Sequence, residues 1–296
     1  MIAAAPQFRT IALIGKYQSP EVAEALQPLA AFLRAQGVRV LVEEGTAAAG
    51  APDYSCPVAS YETIGMEADV AIVIGGDGTM LHSARRLAEF DVPLVGINLG
   101  RLGFMTDIAR GRMIEGIEDL LAGRFSTEKR FLLAAEVLRG GQRVFQALAL
   151  NDAVVSKGDI GRLIDLEVRV DGEFLYVLRA DGMIVATPTG STAYALSANG
   201  PILHPAVPGI ALVPLCPHAL SYRPITISDA STVELTLVAP HGGSAYFDGQ
   251  ARFDIRAGDC VRIARASETL TLLHPPGYSY FAMLREKLHW SATPKH

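Results

Sequence analysis

The residues whose types could do chemistry fall in two stretches rich in glycine and hydroxyls. The first is Gly75-Gly76-Asp77-Gly78-Thr79. Glycines here let the backbone approach a ligand, and the free amides of a helix that follows favour an anion. Asp77 does not suit a loop that only holds phosphate, because like charges repel. A carboxylate at that point suits a base for a hydroxyl or a holder for a divalent cation. A tight strand-to-helix turn with Asp77 as cap accounts for the same five residues. The second stretch spans 179–201 and contains Thr187-Pro188-Thr189-Gly190-Ser191-Thr192-Ala193-Tyr194-Ala195-Leu196-Ser197. A strand over 183–186, a loop of hydroxyls and glycine, and a short helix capped by Ser191 or Thr192 would leave a slot for a flat, polar group. A plain Ser/Thr-rich helix cap is the alternative, and the length and order of the stretch argue against it. Asn151-Asp152 follows an apolar run over 144–150 and on residue types alone reads as an Asx turn.

The elements that must hold these groups follow from periodicity. Asp69-Val70-Ala71-Ile72-Val73-Ile74 is a nearly uninterrupted apolar, β-branched run, the pattern of a strand buried on both faces. After Thr79, Leu81, Ala84, Leu87 and Ala88 share one helical stripe, with Arg85, Arg86 and Glu89 outside it. Upstream come a strand over 10–15, a helix opened by Pro20 with Val22, Leu26, Leu29 and Leu33 on one face and Gly37 as its C-cap, and a strand over 38–42. Pro28 should kink or interrupt that helix. The Ala/Gly/Pro-rich segment 45–57 reads as a loop and 93–97 as another buried strand. Met113, Ile114, Ile117, Leu120 and Leu121 mark a further amphipathic helix. This alternation predicts a Rossmann-like parallel sheet covered on both faces. From Phe131 the texture changes to short strands with hairpin signals at Gly140-Gly141 and Asp171-Gly172. Further strands are expected at 232–238, 244–247, 251–255, 260–264 and 270–273. Residues 278–290 return to helical character, with Phe281, Leu284 and Leu288 on one stripe. The expected fold is an α/β N-terminal domain over 1–127, a β-rich C-terminal domain over 128–276, and a helix within 277–296 that packs back on the first domain.

Composition excludes several classes. With 296 residues, half of them apolar and 19% charged, the chain has ordinary globular composition and room for two cores. A net charge of −5 argues against a nonspecific binder of nucleic acid or anionic membranes. Cys56, Cys216 and Cys260 are far apart and lack metal-ligand spacing, so they read as small buried hydrophobes in a reducing compartment. Residues 1–6 lack the basic region of a signal peptide, and the most apolar candidate span, 206–220, is broken by Pro208, Pro214 and Pro217 into an irregular buried segment. A cytoplasmic protein is expected, with no nucleic-acid or membrane partner.

Taken together these motifs resemble the NAD kinase family. The resemblance runs nearly the whole chain: the glycine turn at 75–79, Gly-x-Leu-Gly-Phe at 100–104, Asn151-Asp152, the 179–201 stretch, Pro217-His218 to Arg223-Pro224-Ile225, Asp248-Gly249-Gln250, and His274-Pro275 to Tyr280-Phe281. The glycine turn is moderately specific, since diacylglycerol, sphingosine and phosphofructokinase relatives carry similar loops, whereas the Thr-Pro-Thr-Gly-Ser-Thr-Ala-Tyr run is highly specific. The resemblance implies transfer of the γ-phosphoryl group of ATP to the 2′-hydroxyl of the adenosine ribose of NAD. It implies Asp77 as the base and Asp77 and Gly78 as ribose contacts. Asn151 and Asp152 would hold the adenine and ribose end, Asp152 standing where the family usually has Glu and so reaching one methylene less far. Asp181, Thr192, Ala193, Tyr194, Ala195, Leu196 and Ser197 would contact the dinucleotide, with Tyr194 placed to stack unless it is core packing. Arg179 stands where arginine accompanies preference for NAD over NADH. His82, Phe104, Arg162 and Gln250 align with pocket positions, although a solvated helix-face histidine explains His82 as well. No metal cage is visible in the sequence, so Mg²⁺ would arrive with ATP, held by its phosphates with or without one carboxylate. His274-Pro275 reads as structural. The resemblance also implies a homodimer or homotetramer. The loop over 75–79 is then one wall of a cleft shared by both domains. A lipid or sugar kinase sharing only the glycine turn, and a nucleotide sensor that has lost the chemistry, remain as alternatives.

Overall fold

The computed structural model describes residues 7–16, 19–48, 56–100, 103–158, 162–219, 221–238 and 242–290. Residues 1–6, Arg101 and Leu102 of the 100–104 motif, and most of the 45–57 loop lie outside the described residues. In chain order the elements are β1 (Thr10–Gly15), α1 (Pro20–Ala35), β2 (Arg39–Glu43), α2 (Glu44–Ala47), β3 (Val58–Ala59), α3 (Tyr61–Glu67), β4 (Val70–Gly75), α4 (Asp77–Leu87), β5 (Leu94–Asn98), β6 (Ile108–Ala109) and α5 (Met113–Leu121). They continue as β7 (Ser126–Arg139), β8 (Gln142–Ala149), β9 (Asp152–Ser156), β10 (Ile164–Val170), β11 (Glu173–Ala180), β12 (Gly182–Ala186), α6 (Tyr194–Ser197), β13 (Gly209–Leu215), β14 (Ile225–Ser228), β15 (Val233–Val238), β16 (Gly243–Phe247), β17 (Ala251–Ile255), β18 (Cys260–His274) and α7 (Tyr280–Leu288). The chain divides into two compact units, Met1–Lys129 with Leu270–His296, and Arg130–Thr269.

The first unit is a parallel sheet in the order β3-β2-β1-β4-β5, with the end of β18 parallel to β5 through Leu272 and Leu94. β1 and β4 are buried at every position, as a strand covered on both faces must be. α1 runs unbroken through Pro28, against the expectation of a kink. An interior proline costs about 3 kcal/mol, but Val22, Ala25, Leu26, Leu29, Ala30 and Leu33 are all buried. Burying each of the larger of these side chains stabilises by roughly 1.5–3 kcal/mol, so the apolar face outweighs the lost bond. Gly37, at φ 77, ends the helix, with Val38 N–H returning to the Leu33 carbonyl. α7 belongs to this unit. It buries Met283 and Leu284, whereas Phe281 is 60% exposed, so Leu284 holds its expected place and Met283 takes that of Phe281 on the buried stripe. His274 is buried as expected of a structural residue. Its Nδ1 lies 2.5 Å from Asp107 and its Nε2 2.9 Å from Glu128, with Tyr278 stacked on the ring. Burial alone would lower its pKa, but the two carboxylates overcome this and raise it.

The second unit is antiparallel. One sheet runs β14-β13-β12-β9-β16-β17, and β11-β10-β15-β18 form a second ladder. Both hairpin signals hold: Gly140-Gly141 and Asp171-Gly172 all have positive φ, which the tight turns demand. β12 is buried on both sides. Met183 and Val185 join the main core with Leu166, Leu212 and Phe247, while Ile184 and Ala186 face a second cluster with Ala195, Leu203 and Val213. That second cluster seats α6 and so fixes Tyr194. Two expectations needed correction. Within 206–220, Gly209–Leu215 is a fully buried strand. Pro214 is tolerated because β14 pairs only as far as Leu212, leaving one edge open where a missing N–H breaks no ladder. The separate strands expected at 260–264 and 270–273 are one, because the polar residues between them stay extended and Arg265 lies over the Phe131 ring.

Candidate active site

In the first unit, Gly76 is the N-cap of α4 and Asp77 its first residue. The Asp77 carboxylate accepts the backbone N–H groups of Phe104 at 2.9 Å and Met105 at 3.0 Å, one on each oxygen. Two bonds of this kind, one to each oxygen, fix the orientation of the group. Gly103 is required for the approach: a Cβ there would collide with the Asp77 carboxylate and the Thr106 hydroxyl. The second glycine of the 100–104 motif, Gly103, is thereby explained by the acid it faces. Asp77 is only half-buried, and Gly78 beside it is exposed. His82 is exposed on α4, with its ring edge-on to Tyr61 at 5.6 Å. Partial burial and then Arg85 and Arg86 lower its pKa.

In the second unit, Asn151, Asp152, Ala193 and Tyr194 line a single cleft of about 450 Å³. Sequence reasoning missed Ser156, Gly158, Tyr246 and Asp248 on its walls. The Asp248-Gly249-Gln250 triplet carried a signal, but it was assigned to Gln250, which is exposed in the turn after Gly249 and does not line the cleft. Asp248, at φ 53 in the turn from β16 to β17, accepts N–H from Leu150 at 2.9 Å, Asn151 at 2.7 Å and Asp152 at 3.2 Å. This anion organises the start of β9. Asp152 is 5% exposed. Its burial first, and then the Asp248 charge, push its carboxyl up to about 7.

Three of the four hydroxyls in the 187–192 run serve the backbone, and the fourth, Thr189, accepts from the buried Arg130 guanidinium at 3.1 Å. Thr187 Oγ1 donates to the Leu150 carbonyl at 2.5 Å and accepts from Gly190 N–H at 3.1 Å. Ser191 Oγ donates to the Pro188 carbonyl at 2.6 Å and accepts from Leu203 N–H at 2.9 Å. Neither Ser191 nor Thr192 caps α6, whose N-cap is Ala193. The Ser191 hydroxyl is committed to Pro188 and Leu203, and that of Thr192 to the Thr189 carbonyl. A Cβ at Gly190 would strike the Asn151 backbone, so this glycine lets the two motifs touch. Tyr194 is 49% exposed and opens α6. Burial, then Cys216, Asp152 and Asp181, raise its pKa and keep the phenol a donor. Asp181 pairs with Lys157 at 2.6 Å. Arg179 is exposed on β11, 4.0 Å from Asp165 across the ladder. Arg162 is exposed before β10, and Ser197 is exposed at the end of α6, while Ala195 is buried beneath it and Leu196 half-buried. None of these last five, nor Thr192 or Asp181, lines the cleft.

Comparison with known proteins resolves what this arrangement belongs to. Residues 11–125 match the ATP-NAD kinase N-terminal domain and residues 150–274 the ATP-NAD kinase C-terminal domain. The chain is 63% identical to the NAD kinase of Azoarcus sp. (strain BH72) over 291 residues, 98% of each chain. It is 62% identical to that of Aromatoleum aromaticum (strain DSM 19018 / LMG 30748 / EbN1), covering 97% of this chain and 96% of that one. In fold it is similar to yeast NADH kinase complexed with NADH, at TM-score 0.87 and 24% identity over 97% of this chain and 89% of the other. An NAD kinase from Archaeoglobus fulgidus in complex with ATP gives TM-score 0.76 at 24% identity, over 95% and 98%. The protein is a phosphotransferase that uses ATP. It belongs to the NAD kinase family, whose members phosphorylate NAD to NADP, and it does the same. The lipid or sugar kinase reading is thereby set aside.

Proposed function

We propose that the second unit's cleft binds NAD and that Asp77 takes the proton of the ribose 2′-hydroxyl as the γ-phosphoryl group of ATP is transferred. The convergence of Asn151, Asp152, Ala193 and Tyr194 on one acid-lined cleft carries the binding reading. Its acids suit the hydroxyls and amines of a dinucleotide, and Tyr194 offers a ring face. For the chemistry, a ribose hydroxyl is a poor nucleophile, and a carboxylate held in one orientation by two amides is placed to accept its proton. Among the described residues no group of three or more His, Cys, Asp or Glu side chains is placed to hold a metal. Mg²⁺ is proposed to arrive with ATP, held by its phosphates with or without one carboxylate, and would neutralise charge on the transferring group. Gly78, His82, Phe104, Arg162, Arg179, Asp181, Thr192, Ala195, Leu196, Ser197 and Gln250 are proposed as supporting contacts, with Arg179 favouring NAD over NADH. The enzyme is proposed to be cytoplasmic and to act as a homodimer or homotetramer. Among the described residues no helix is long and apolar enough to cross a membrane.

The test is an assay of purified protein with ATP, Mg²⁺ and either NAD or NADH, reading NADP(H) through a coupled dehydrogenase. NADP formation well above that of NADPH is expected. Equal rates would sink the assignment of Arg179, and binding of NAD without product would favour a sensor. Gly103→Ala should lower kcat about a hundredfold, since displacing a reacting group by an ångström costs that much. The KM for NAD should change little. An unchanged kcat would show that the Gly103 approach does not set the position of Asp77.

A further inference from the structure

Asp152 has an unusual environment for a carboxyl. It is 5% exposed and lines the cleft, yet among the described residues no hydrogen bond or ion pair reaches its carboxyl. Its neighbour Asp248 takes three backbone amides, bonds that favour a carboxylate over a neutral acid. Burial first, and then the Asp248 charge, oppose ionisation of Asp152 where no donor offsets them. Among the described residues no cation pairs with Asp152: the Arg252 guanidinium lies over the Tyr246 ring and pairs with Asp254. Other titratable groups there are Tyr246 on β16, Tyr194 at the start of α6, and, next to Tyr194, Cys216 and Asp181, the last neutralised by Lys157. What Asp152 lacks is hydrogen-bond donors.

We propose that Asp152 is a neutral acid in the free protein and ionises when the dinucleotide supplies those donors, so that binding of NAD expels one proton. The proposal rests on the reading of the cleft as the NAD site. The choice of donors over acceptors follows from charge: a ligand acceptor, above all a phosphate oxygen, would face the Asp248 anion, whereas a ribose diol or an amino group is attracted to it. On binding, the Asp152 O–H bond breaks, the proton passes to bulk water, and the carboxylate accepts two ligand hydrogen bonds. Desolvation that opposed the charge is then offset by those bonds. The upward shift of the Asp152 pKa to about 7 places the linkage in the neutral range.

Calorimetric titration of the full chain with NAD, in two buffers of different ionisation enthalpy, counts the protons. Release approaching one is expected at pH 6 and near zero at pH 8.5, with affinity tightening about tenfold between pH 6 and pH 8. Asp152→Glu should retain release, and Asp152→Asn should show neither release nor the pH dependence. Proton uptake, no exchange at pH 6, or affinity that weakens above neutral pH would overturn the proposal. So would release that persists in Asp152→Asn. A second arm needs no ligand. A folded-state pKa raised above its unfolded value gives stability that is complete at about pH 4 and lost as pH rises through about 7. The parent should therefore lose stability relative to Asp152→Asn over that window, and parallel curves would contradict a neutral Asp152. If the stability arm succeeds while Asp152→Asn binds NAD as the parent does, the error lies in the cleft as the NAD site and not in the protonation.

Discussion

Asp77→Asn should lower kcat by about 10²–10⁴-fold, the range removed with a general base, while NAD affinity stays within a few-fold. The amide keeps the shape of the carboxylate and loses its basicity. One complication arises from the two amides that the carboxylate accepts. An asparagine satisfies one of them with its oxygen and turns its NH₂ toward the other, leaving Phe104 or Met105 N–H unpaired. That costs about 1–3 kcal/mol and loosens the 103–106 turn. A stability loss is therefore expected alongside the kinetic one, and the two are separated by measuring single-turnover rates at a temperature where the variant is fully folded. Persistence of substantial turnover in the folded variant would remove Asp77 from the chemistry and leave it as the anchor of the turn.

Asp248→Ala should show the opposite signature, with a KM for NAD raised more than tenfold and a marked loss of stability. Three backbone N–H groups at the entry to β9 lose their acceptor at once. Each bond to a charged group contributes about 1.5–3 kcal/mol, and water entering through the cleft recovers part of the loss. A drop in Tm of at least about 5 °C follows for a chain of this size. With the Asp248 charge gone, one of the two causes that hold the Asp152 pKa up is also removed, so the pH dependence of binding should shift to lower pH. Asp248→Asn, which keeps one oxygen for Asn151 and Asp152, should be milder. A variant with unchanged Tm and KM would show that the turn does not organise the cleft.

How much of this was legible in the sequence differs between the two units. The parallel sheet was readable because β1 and β4 are buried on both faces and spell that out as unbroken apolar runs. Glycines and proline marked helix ends and hairpin turns for local reasons. What local pattern could not give was the outcome of competition. Whether Pro28 breaks α1 depends on six buried contacts across the sheet, and whether Pro214 breaks β13 depends on where β14 stops pairing. The same holds for the site. Asn151 and Asp152 could be singled out, but Asp248 is nearly a hundred residues away, and its three amides exist only in the folded ladder. The 187–192 hydroxyls misled in the other direction: their types suggest ligand contacts, yet Thr187 and Ser191 are fully buried and satisfy backbone groups.

On the proposed reading, the glycine turn supplies an acid aligned by two amides and the cleft a binding wall organised by another acid with three. The most direct test of that division is a crystal of the protein soaked with NAD. Difference density for the dinucleotide should lie in the cleft against Asp152, Tyr194 and Asp248, with a ribose hydroxyl or amino group within hydrogen-bond reach of the Asp152 carboxylate. Density for NAD elsewhere on the molecule, with this cleft left to solvent, would contradict the account.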